Sequence, residues 1–497
     1  MTTIGSGNGW IGYTSSSIGQ VRNDLDQASL QLSSGKRANS YAGLGHDVSR
    51  SLDLRSRLST LEVYENATAL ANTSLGIVNN AVSSFSQSLG QIETNALSFT
   101  NPPSASGRKS TEASLRSQLD LLLSYLNTDD GSIHLFGGQK GDSQPALDST
   151  TIIDGLPGKA GLKQYIAERQ SADLGSNGLG RLTLNNTGTV VTLSQESASL
   201  PFGFTLKSIS SASNQIPVSG PSGTPPTLSV TLTNQPPADS TFSITLDLPD
   251  GTTMDMTLKA TSTSGENQFV IGATPADTVG NLVTALNASL TNAAKIQLSS
   301  ASAVKASQDF FAGSTTNPPQ RIAGPNFATA TGFTPGSATD TILWYQGTDD
   351  ANDPRNDRYM QIGNGLTVAT GARANEKGFR EALSSVALLA STALSSTDEN
   401  LAVKQFNDLR DRSRAGITSA KTDIQATTIS IATNQKSVKT VADDQTALKN
   451  VISIAISQVE DVPIEETAAT LTSLQTRLQA MYQLTAKLSS LNLANFL

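Results

Sequence analysis

Apolar residues recur at alternating spacings of three and four in two zones of the chain, residues 1–145 and 371–497. This spacing keeps one apolar seam on one face of a helix and is typical of long helices that pack together. Between these zones, residues 181–370 alternate apolar side chains with Ser or Thr, which predicts strands, and residues 146–180 are transitional. The pattern predicts an α+β fold. Long N- and C-terminal helices would pair as a coiled coil or helical bundle, with an inserted β-rich outer domain.

The N-terminal zone predicts three helices. The first ends at the turn before Gly35, since glycine commonly follows a helix end. The second is predicted over residues 46–99 and ends before Pro102, which cannot donate a helical hydrogen bond. The third covers about residues 108–127. The seam positions of the first two helices are Ile18, Val21, Leu25, Ala28, Leu32, Leu75, Val82, Phe85, Leu89 and Ile92.

The C-terminal zone also predicts three helices. The first two cover residues 376–396 and about 399–458, with Gln445 as a polar member of the second seam. A helix restarts at Pro463, because proline fits the first turn. The seam positions here are Leu448, Ile452, Val459, Leu471, Leu474, Leu478, Met481 and Leu488. Because segments near chain ends have little core of their own to pack on, we predict that both sets of seam positions form an assembly seam.

The middle zone predicts a series of short strands. The sequence Pro249-Asp250-Gly251 has turn chemistry and joins two of them as a hairpin over residues 241–260. A helix is predicted over residues 276–293, with a continuation to Phe311. Residues 218–226 and 313–325 are predicted as loops. The predicted strands are 182–184, 190–193, 228–232, 242–248, 254–258, 341–346 and 358–369.

Composition narrows the function further. The 497 residues include no Cys and two His, which excludes disulfides, thiolate nucleophiles, Cys-type zinc sites and a multi-His metal centre within one chain. The net charge of −8 argues against a nucleic-acid partner. No apolar run approaches the roughly 20 residues that cross a bilayer, so membrane insertion is not expected.

Candidate chemistry is sparse. His46 lies at a predicted helix start and His134 in a glycine-flanked turn, and no nucleophile motif accompanies either of them. The acidic loop over residues 349–353 has the oxygen ligands that calcium prefers, but it lacks the Gly and terminal Glu of an EF-hand, which favours a solvated turn. We therefore expect no enzyme activity, no cofactor and no resident metal.

Three segments resemble bacterial flagellins. Residues 31–40, QLSSGKRANS, resemble the motif that follows the first flagellin helix. Residues 66–80, NATALANTSLGIVNN, are similar to the stretch that follows it. The sequence from Gln458 through Glu460 and Asp461 to the end resembles the closing region of the family. The resemblance covers about residues 1–145 and 371–497 and leaves the middle unmatched.

The resemblance implies a three-part organisation and a structural role. Residues 1–40 with 460–497 would form an inner coiled-coil domain, and residues 41–180 with 371–459 a helical-bundle domain. Residues 181–370 would form the surface-exposed β-rich domain. The implied function is that of a structural subunit which polymerises through its terminal helices into the bacterial flagellar filament for swimming motility.

The resemblance also implies partners and a location. The chain would bind copies of itself, other flagellar axial proteins such as hook-associated and cap proteins, and an export chaperone that covers about residues 455–497. Residues 1–10 have no basic or apolar signal region, so secretion by the flagellar type III export apparatus without a cleaved Sec signal is expected. The expected location is extracellular, in the flagellum.

Two alternatives remain. The ending over residues 491–497 resembles that of the hook–filament junction protein, hook-associated protein 3, whereas a large inserted domain suits a filament subunit. A flagellin-like cell-surface adhesin or glycan-binding protein is a third possibility, since the Thr- and Ser-rich middle domain has side chains for binding sugars. The aromatic candidates for stacking on a sugar are Phe202, Phe204, Phe242 and Phe269.

Overall fold

A computed structural model describes residues 7–96 and 104–494 of the chain. It divides into two compact units. Within the described residues, the terminal unit comprises residues 7–71, 361–367 and 437–494, and the central unit comprises the rest. These boundaries differ from the three domains implied by the family resemblance, which remain a prediction.

Long helices build the terminal unit, as the seam spacing predicts. Helix α1 spans Gly7–Ser34 and ends at Gly35, whose φ of +70° suits a residue without a Cβ. Helix α2 spans Val48–Gln91. Helix α9 spans Glu399–Glu460 over 62 residues. Helix α10 restarts after Pro463 and spans Ile464–Ala494. Both α2 and α9 contribute residues to each unit.

The second predicted helix differs from the structure at its two ends. It is preceded by a 3-10 helix, Tyr41–Asp47, which is kinked at Gly45, because a φ of +58° interrupts helical hydrogen bonding. At its other end the helix continues as a π-helix, Ile92–Ala96. The predicted extension to residue 99 and the stop before Pro102 lie outside the described residues.

The helical part of the central unit has an apolar core. Helices α3 (Ala105–Leu126) and α8 (Lys377–Ser391) confirm two predicted helices and bury their apolar faces. The Phe379 ring is 1% exposed and packs edge-on against Phe85 and Phe136, with ring centroids 5.2 and 5.9 Å away. Large, fully buried aromatic rings of this kind contribute strongly to packing.

Two four-stranded sheets form the β-rich part, and all their strand pairs are antiparallel except the last pair of the second sheet. The first has the order β1-β2-β5-β4 and the second the order β3-β6-β7-β8. Strands β6 and β7 pair along their length as the predicted hairpin, while β8 joins β7 in parallel. Apolar residues of both sheets form one buried cluster with those of α6 (Pro275–Ala293). The strands are Leu182–Thr187, Val190–Gln195, Thr205–Ser211, Val218–Ser222, Thr227–Thr231, Thr241–Asp247, Thr253–Thr261 and Gln268–Val270 for β1 to β8.

Several predictions for the middle of the chain are wrong. Val218–Ser222 forms strand β4 rather than a loop, although Gly220 and Pro221 break the alternation. Residues 341–346 form isolated bridges, such as Ala146 with Tyr345, and no strand. The predicted loop over residues 313–325 contains the two-residue strand β9 (Arg321–Ile322), which pairs with β10 (Phe333–Thr334).

Other elements agree with the sequence or go beyond it. The strand predicted over residues 358–369 is divided by a turn into a hairpin of β11 (Tyr359–Gly363) and β12 (Leu366–Ala369). Helix α6 continues through a π-helical turn into α7 (Ser299–Ala312), as expected. The transitional stretch contains two helices that the sequence did not predict, α4 (Ser149–Asp154) and α5 (Leu162–Leu174).

The aromatic core of the helical part should dominate the stability of the central unit. We expect Phe379→Ala to lower the free energy of unfolding by about 3–5 kcal/mol, because it leaves a cavity beside two rings. Urea denaturation followed by circular dichroism measures this loss. Leu121→Ala, on the half-exposed face of α3, serves as the control and should cost less than about 1 kcal/mol. Equal losses in the two variants would contradict the packing described here.

Candidate functional site

The first and last helices pack against each other in the terminal unit. Helices α1 and α10 pack against each other in antiparallel directions. Lys36, just after the end of α1, pairs with Asp461, just before the start of α10. Further along the two helices, the Arg22 guanidinium lies 5.8 Å from the Tyr482 ring centroid. Val21 and Ala28 of α1 are 4% and 5% exposed. The two segments therefore bury one apolar stripe against each other, although 427 positions separate Ser34 from Asp461 along the chain.

The predicted seam positions fall into four groups. Five of them are buried in the central unit, namely the four from Leu75 to Leu89 on α2 and Ile92 in the π-helix that follows. In the terminal unit Val21, Ala28, Ile452 and Val459 are buried. Leu448 and Leu488 are 50% and 43% exposed and do not join the packed stripe of one chain. The half-buried positions are Ile18, Leu25, Leu32, Leu471, Leu474, Leu478 and Met481.

Backbone hydrogen bonds join the segment that follows α1 to the segment that precedes α10. The Arg37 amide donates to the Glu460 carbonyl at 2.7 Å, and the Val462 amide donates to the Gly35 carbonyl at 3.1 Å. Lys36 and Asp461 form an antiparallel bridge between the two segments. The loop after α1 and the loop before α10 are thereby joined like two short strands.

Glu460 is the most heavily bonded side chain at this corner. Its carboxylate accepts two bonds from the Arg55 guanidinium, at 2.7 and 2.6 Å, and a third from the Ser51 hydroxyl at 2.7 Å. The hydrogen bonds from Arg55 lower the pKa of Glu460 to about 2, against the opposing effect of burial. A bidentate pair of this kind fixes geometry as well as charge.

A second set of contacts extends the corner. The Lys36 ammonium lies 2.5 Å from an Asp461 carboxylate oxygen, and the Ser457 hydroxyl donates to the other at 2.6 Å. The bond from Lys36 lowers the pKa of Asp461. The Gln31 amide donates to the Arg37 carbonyl at 2.9 Å. We call the set Gln31 to Arg37, Ser51, Arg55 and Ser457 to Val462 the corner network.

The corner network explains why two distant motifs have their particular residues. The segment of residues 31–40 supplies a glycine for the turn and cations for the ion pairs, and residues 458–462 supply the two carboxylates. Sequence analysis recognised both segments but did not predict that they meet. Arg55 and Ser51 lie outside both motifs, and only their spacing of four on α2 places them on one face.

The terminal unit also leaves a large apolar surface uncovered. On α2, Leu52, Val63 and Leu70 are 48–63% exposed, and spacings of eleven and seven place them on one face of the helix. On α9, Leu448, Val451 and Ile454 are at least half exposed. The other large exposed apolar side chains of this unit are Tyr13, Leu30, Tyr41, Leu366, Ile464, Tyr482, Leu484 and Leu488.

Single exposed apolar side chains are ordinary on a protein surface, but many of them in one part of a molecule point to an interaction site. The central unit has more than twice as many residues, yet its large exposed apolar side chains are fewer. They are Leu121, Leu156, Phe333, Tyr359 and Ile429. The uncovered apolar surface of the terminal unit is therefore the candidate functional site.

The acidic loop has its carboxylates engaged within the protein. Asp349 accepts from the Thr315 amide at 2.6 Å, and Asp350 pairs with Arg373 at 2.6 Å. The Thr315 bonds hold the pKa of Asp349 below its usual range even though burial opposes them. Over residues 7–96 and 104–494, no group of three or more His, Asp or Glu side chains is placed to hold a metal ion.

The other candidate residues also occupy structural positions. His46 is exposed on the 3-10 helix, and the Nδ1 atom of His134 lies 2.9 Å from the Asn127 carbonyl. Phe204, Phe242 and Phe269 are each 1% exposed within the β-rich core, so their expected availability for stacking on a sugar is wrong. Among the described helices, none combines the length and apolar character needed to span a membrane.

Comparison with known proteins gives one match. Residues 8–140 match the family model of the bacterial flagellin N-terminal helical region. No curated protein matches the chain. The match covers nearly all of α1, the segment that joins α1 to α2, and α2 and α3, and it confirms the resemblance to the bacterial flagellin family over these residues. Residues 8–140 are therefore similar to the flagellin N-terminal helical region.

The pKa of Glu460 makes the corner network testable by pH. We expect Glu460→Gln to weaken the corner by about 1–2 kcal/mol at pH 7, because an amide leaves the half-exposed Arg55 without its charged partner. Hydrogen exchange of the Arg37 and Val462 amides measures this opening. The carboxylate stabilises the fold above its unfolded pKa of about 4.3, and that contribution is lost as pH falls towards 2.

The difference between the original chain and Glu460→Gln should therefore shrink as pH falls from about 4.3 towards 2. Glu465→Gln changes an exposed carboxylate in the first turn of α10 and is the matched control. It should leave exchange of both amides unchanged. A difference for Glu460→Gln that is as large at pH 2.5 as at pH 7 would show that its charge does not hold the corner.

Proposed function

We propose that this chain, with its flagellin N-terminal helical region, polymerises through the terminal unit into the bacterial flagellar filament. The observation that carries the proposal is the uncovered apolar surface of that unit. Each square ångström of apolar surface removed from water contributes about 25 cal/mol, so a subunit with this surface gains by covering it with another copy. Soluble proteins that act alone rarely retain such a surface.

The geometry of the corner supports a polymer rather than a closed pair. The corner network joins α1 to α10, and these two helices differ in sequence, so a neighbouring copy meets a different surface on each of them. Contacts between different flanks of neighbouring copies do not close on themselves, and such head-to-tail contacts generate an open helical filament. The half-buried seam residues, such as Leu25 and Leu478, then become fully buried when neighbours fill the remaining space.

The proposal extends to export and partners. Outside the cell, a Cys-free chain cannot form wrong disulfides. The exposed Ile464, Leu484 and Leu488 of α10 supply an apolar face for an export chaperone before secretion through the type III apparatus. Hook-associated and cap proteins are the proposed neighbours at the ends of the polymer. The same terminal helices would also serve the hook–filament junction protein, which differs in forming a short ring rather than a long filament.

Exposed leucines near the end of α10 should control polymerisation. We expect the double variant Leu484→Asp and Leu488→Asp to raise the protein concentration needed for filament formation at least about tenfold. This change corresponds to a loss of ~1.4 kcal/mol in the free energy of adding one subunit. A carboxylate placed in an apolar contact must lose its hydration. Sedimentation of polymerised protein measures this concentration.

The matched control is Leu156→Asp, which changes a leucine of similar exposure in the central unit, 52% against 54% for Leu484. It should polymerise like the original chain. If the α10 variant polymerised normally while remaining folded by circular dichroism, the terminal unit would not be the assembly surface. If the original chain formed only short rings at every concentration, the junction role would replace the filament role.

Polymerisation should also depend on the apolar stripe packed between α1 and α10. We expect the double variant Leu25→Asp and Leu478→Asp to abolish polymerisation, because both carboxylates would lie between α1 and α10. The β-rich part should stay folded, since neither residue belongs to the central unit. Electron microscopy checks for filaments, and near-ultraviolet circular dichroism, dominated by the aromatic side chains of the central unit, checks the remaining fold. Filaments formed by this variant would contradict the seam.

A further inference from the structure

A cleft of about 570 Å³ lies within the central unit, away from the residues used above. It is bounded by α5, by the beginning of β3, by the end of α7 and by the loop that follows α7. Its size falls within the range of small-molecule sites, which is about 300–1,000 Å³. The family resemblance assigns nothing to this region, because the matched residues end at 140.

One wall of the cleft is aromatic. The rings of Phe202 and Phe333 lie with centroids 5.0 Å apart, and Phe333 is 38% exposed. The Arg169 guanidinium lies 5.3 and 5.7 Å from the two ring centroids. Arg169 is itself fixed, because it donates to the fully buried Asp173 at 2.7 Å and to the Pro201 carbonyl. The aromatic wall is therefore rigid and partly open to a ligand.

The opposite side of the cleft is polar. The Lys305 ammonium and the Asp309 carboxylate form an ion pair at 2.6 Å, with both side chains more than a third exposed. An ammonium has three donor positions and a carboxylate about four acceptor positions, so each can also bond to a ligand. Asn317 and Gln320 add exposed amide-bearing residues to this side.

The charges of the lining residues are balanced. Asp173 neutralises Arg169, and Asp309 neutralises Lys305. A charged ligand would thus meet no unpaired opposite charge. A purely apolar ligand would strip water from an ion pair and from amides without replacing their hydrogen bonds. The lining favours a neutral molecule that has one apolar face and several hydroxyl groups.

We propose that this cleft binds a neutral saccharide of one or two sugar units. The apolar face of a sugar ring would lie against Phe333, and its hydroxyls would bond to Lys305 and Asp309. Phe202 supports this wall from behind, with 4% of its surface exposed. Of the aromatic residues that sequence analysis selected for stacking, only Phe202 reaches the cleft, and Phe333 was missed because it stands alone in a loop-like stretch.

The experiment titrates the purified full chain with neutral disaccharides, namely maltose, lactose, cellobiose and chitobiose, and with sialyllactose as the acidic probe. Saturation-transfer NMR and calorimetry report binding. We expect at least one neutral disaccharide to bind and sialyllactose to bind no better than lactose. Phe333→Leu should weaken that binding about tenfold, since an aliphatic side chain lacks the ring face.

Asp309→Asn should weaken binding several-fold, because a charge-assisted acceptor becomes a neutral one. Tyr359→Leu changes an exposed aromatic residue outside the cleft and should bind like the original chain. Polymerisation of Phe333→Leu should be unchanged. A failure of the saccharide proposal can therefore be distinguished from a failure of the filament proposal. Absence of binding to all four neutral probes, or binding that survives both cleft variants, would overturn the proposal.

Discussion

The bidentate ion pair between Arg55 and Glu460 is the contact on which the terminal unit depends. It joins α2 to the end of α9, and the backbone bonds beside it set where the chain turns into α10. Only with this corner fixed do α1 and α10 start at matching positions and align their apolar stripes. Because a two-residue slip along a helix turns the stripe to nearly the opposite face, a loose corner would separate the seam.

The two units treat their apolar residues in different ways. The central unit buries most of its phenylalanines and leucines in closed cores of helices and sheets. The terminal unit uses part of its apolar residues for one packed stripe and leaves the rest uncovered. A long helix pair has much surface for its volume and cannot cover all of its apolar side chains alone. Assembly with further copies completes the burial, so the incompleteness of this unit is the physical basis of the proposed function.

The sequence predicts the helical frame well, because a seam spaced by three and four needs no distant information. Prediction from the sequence fails where buried positions hold polar or charged residues, or where glycine and proline interrupt a strand. Helix α5 was not predicted because its buried face contains Glu168, Arg169 and Asp173, so its pattern does not look amphipathic. Strand β4 was missed because Gly220 and Pro221 interrupt its alternation. For the candidate site, the resemblance to flagellins identified the two motifs. The pairing of Arg55 with Glu460 joins positions separated by most of the chain, which spacing alone does not reveal.

Helical reconstruction by electron microscopy of polymers grown from the purified full chain tests the central claim most directly. The account predicts long filaments in which α1 and α10 of each copy remain paired at the corner network. Their exposed apolar faces, together with those of α2 and α9, should form the contacts between neighbouring copies. Filaments whose contacts come from the β-rich part, or copies in which α1 and α10 are separated, would contradict it.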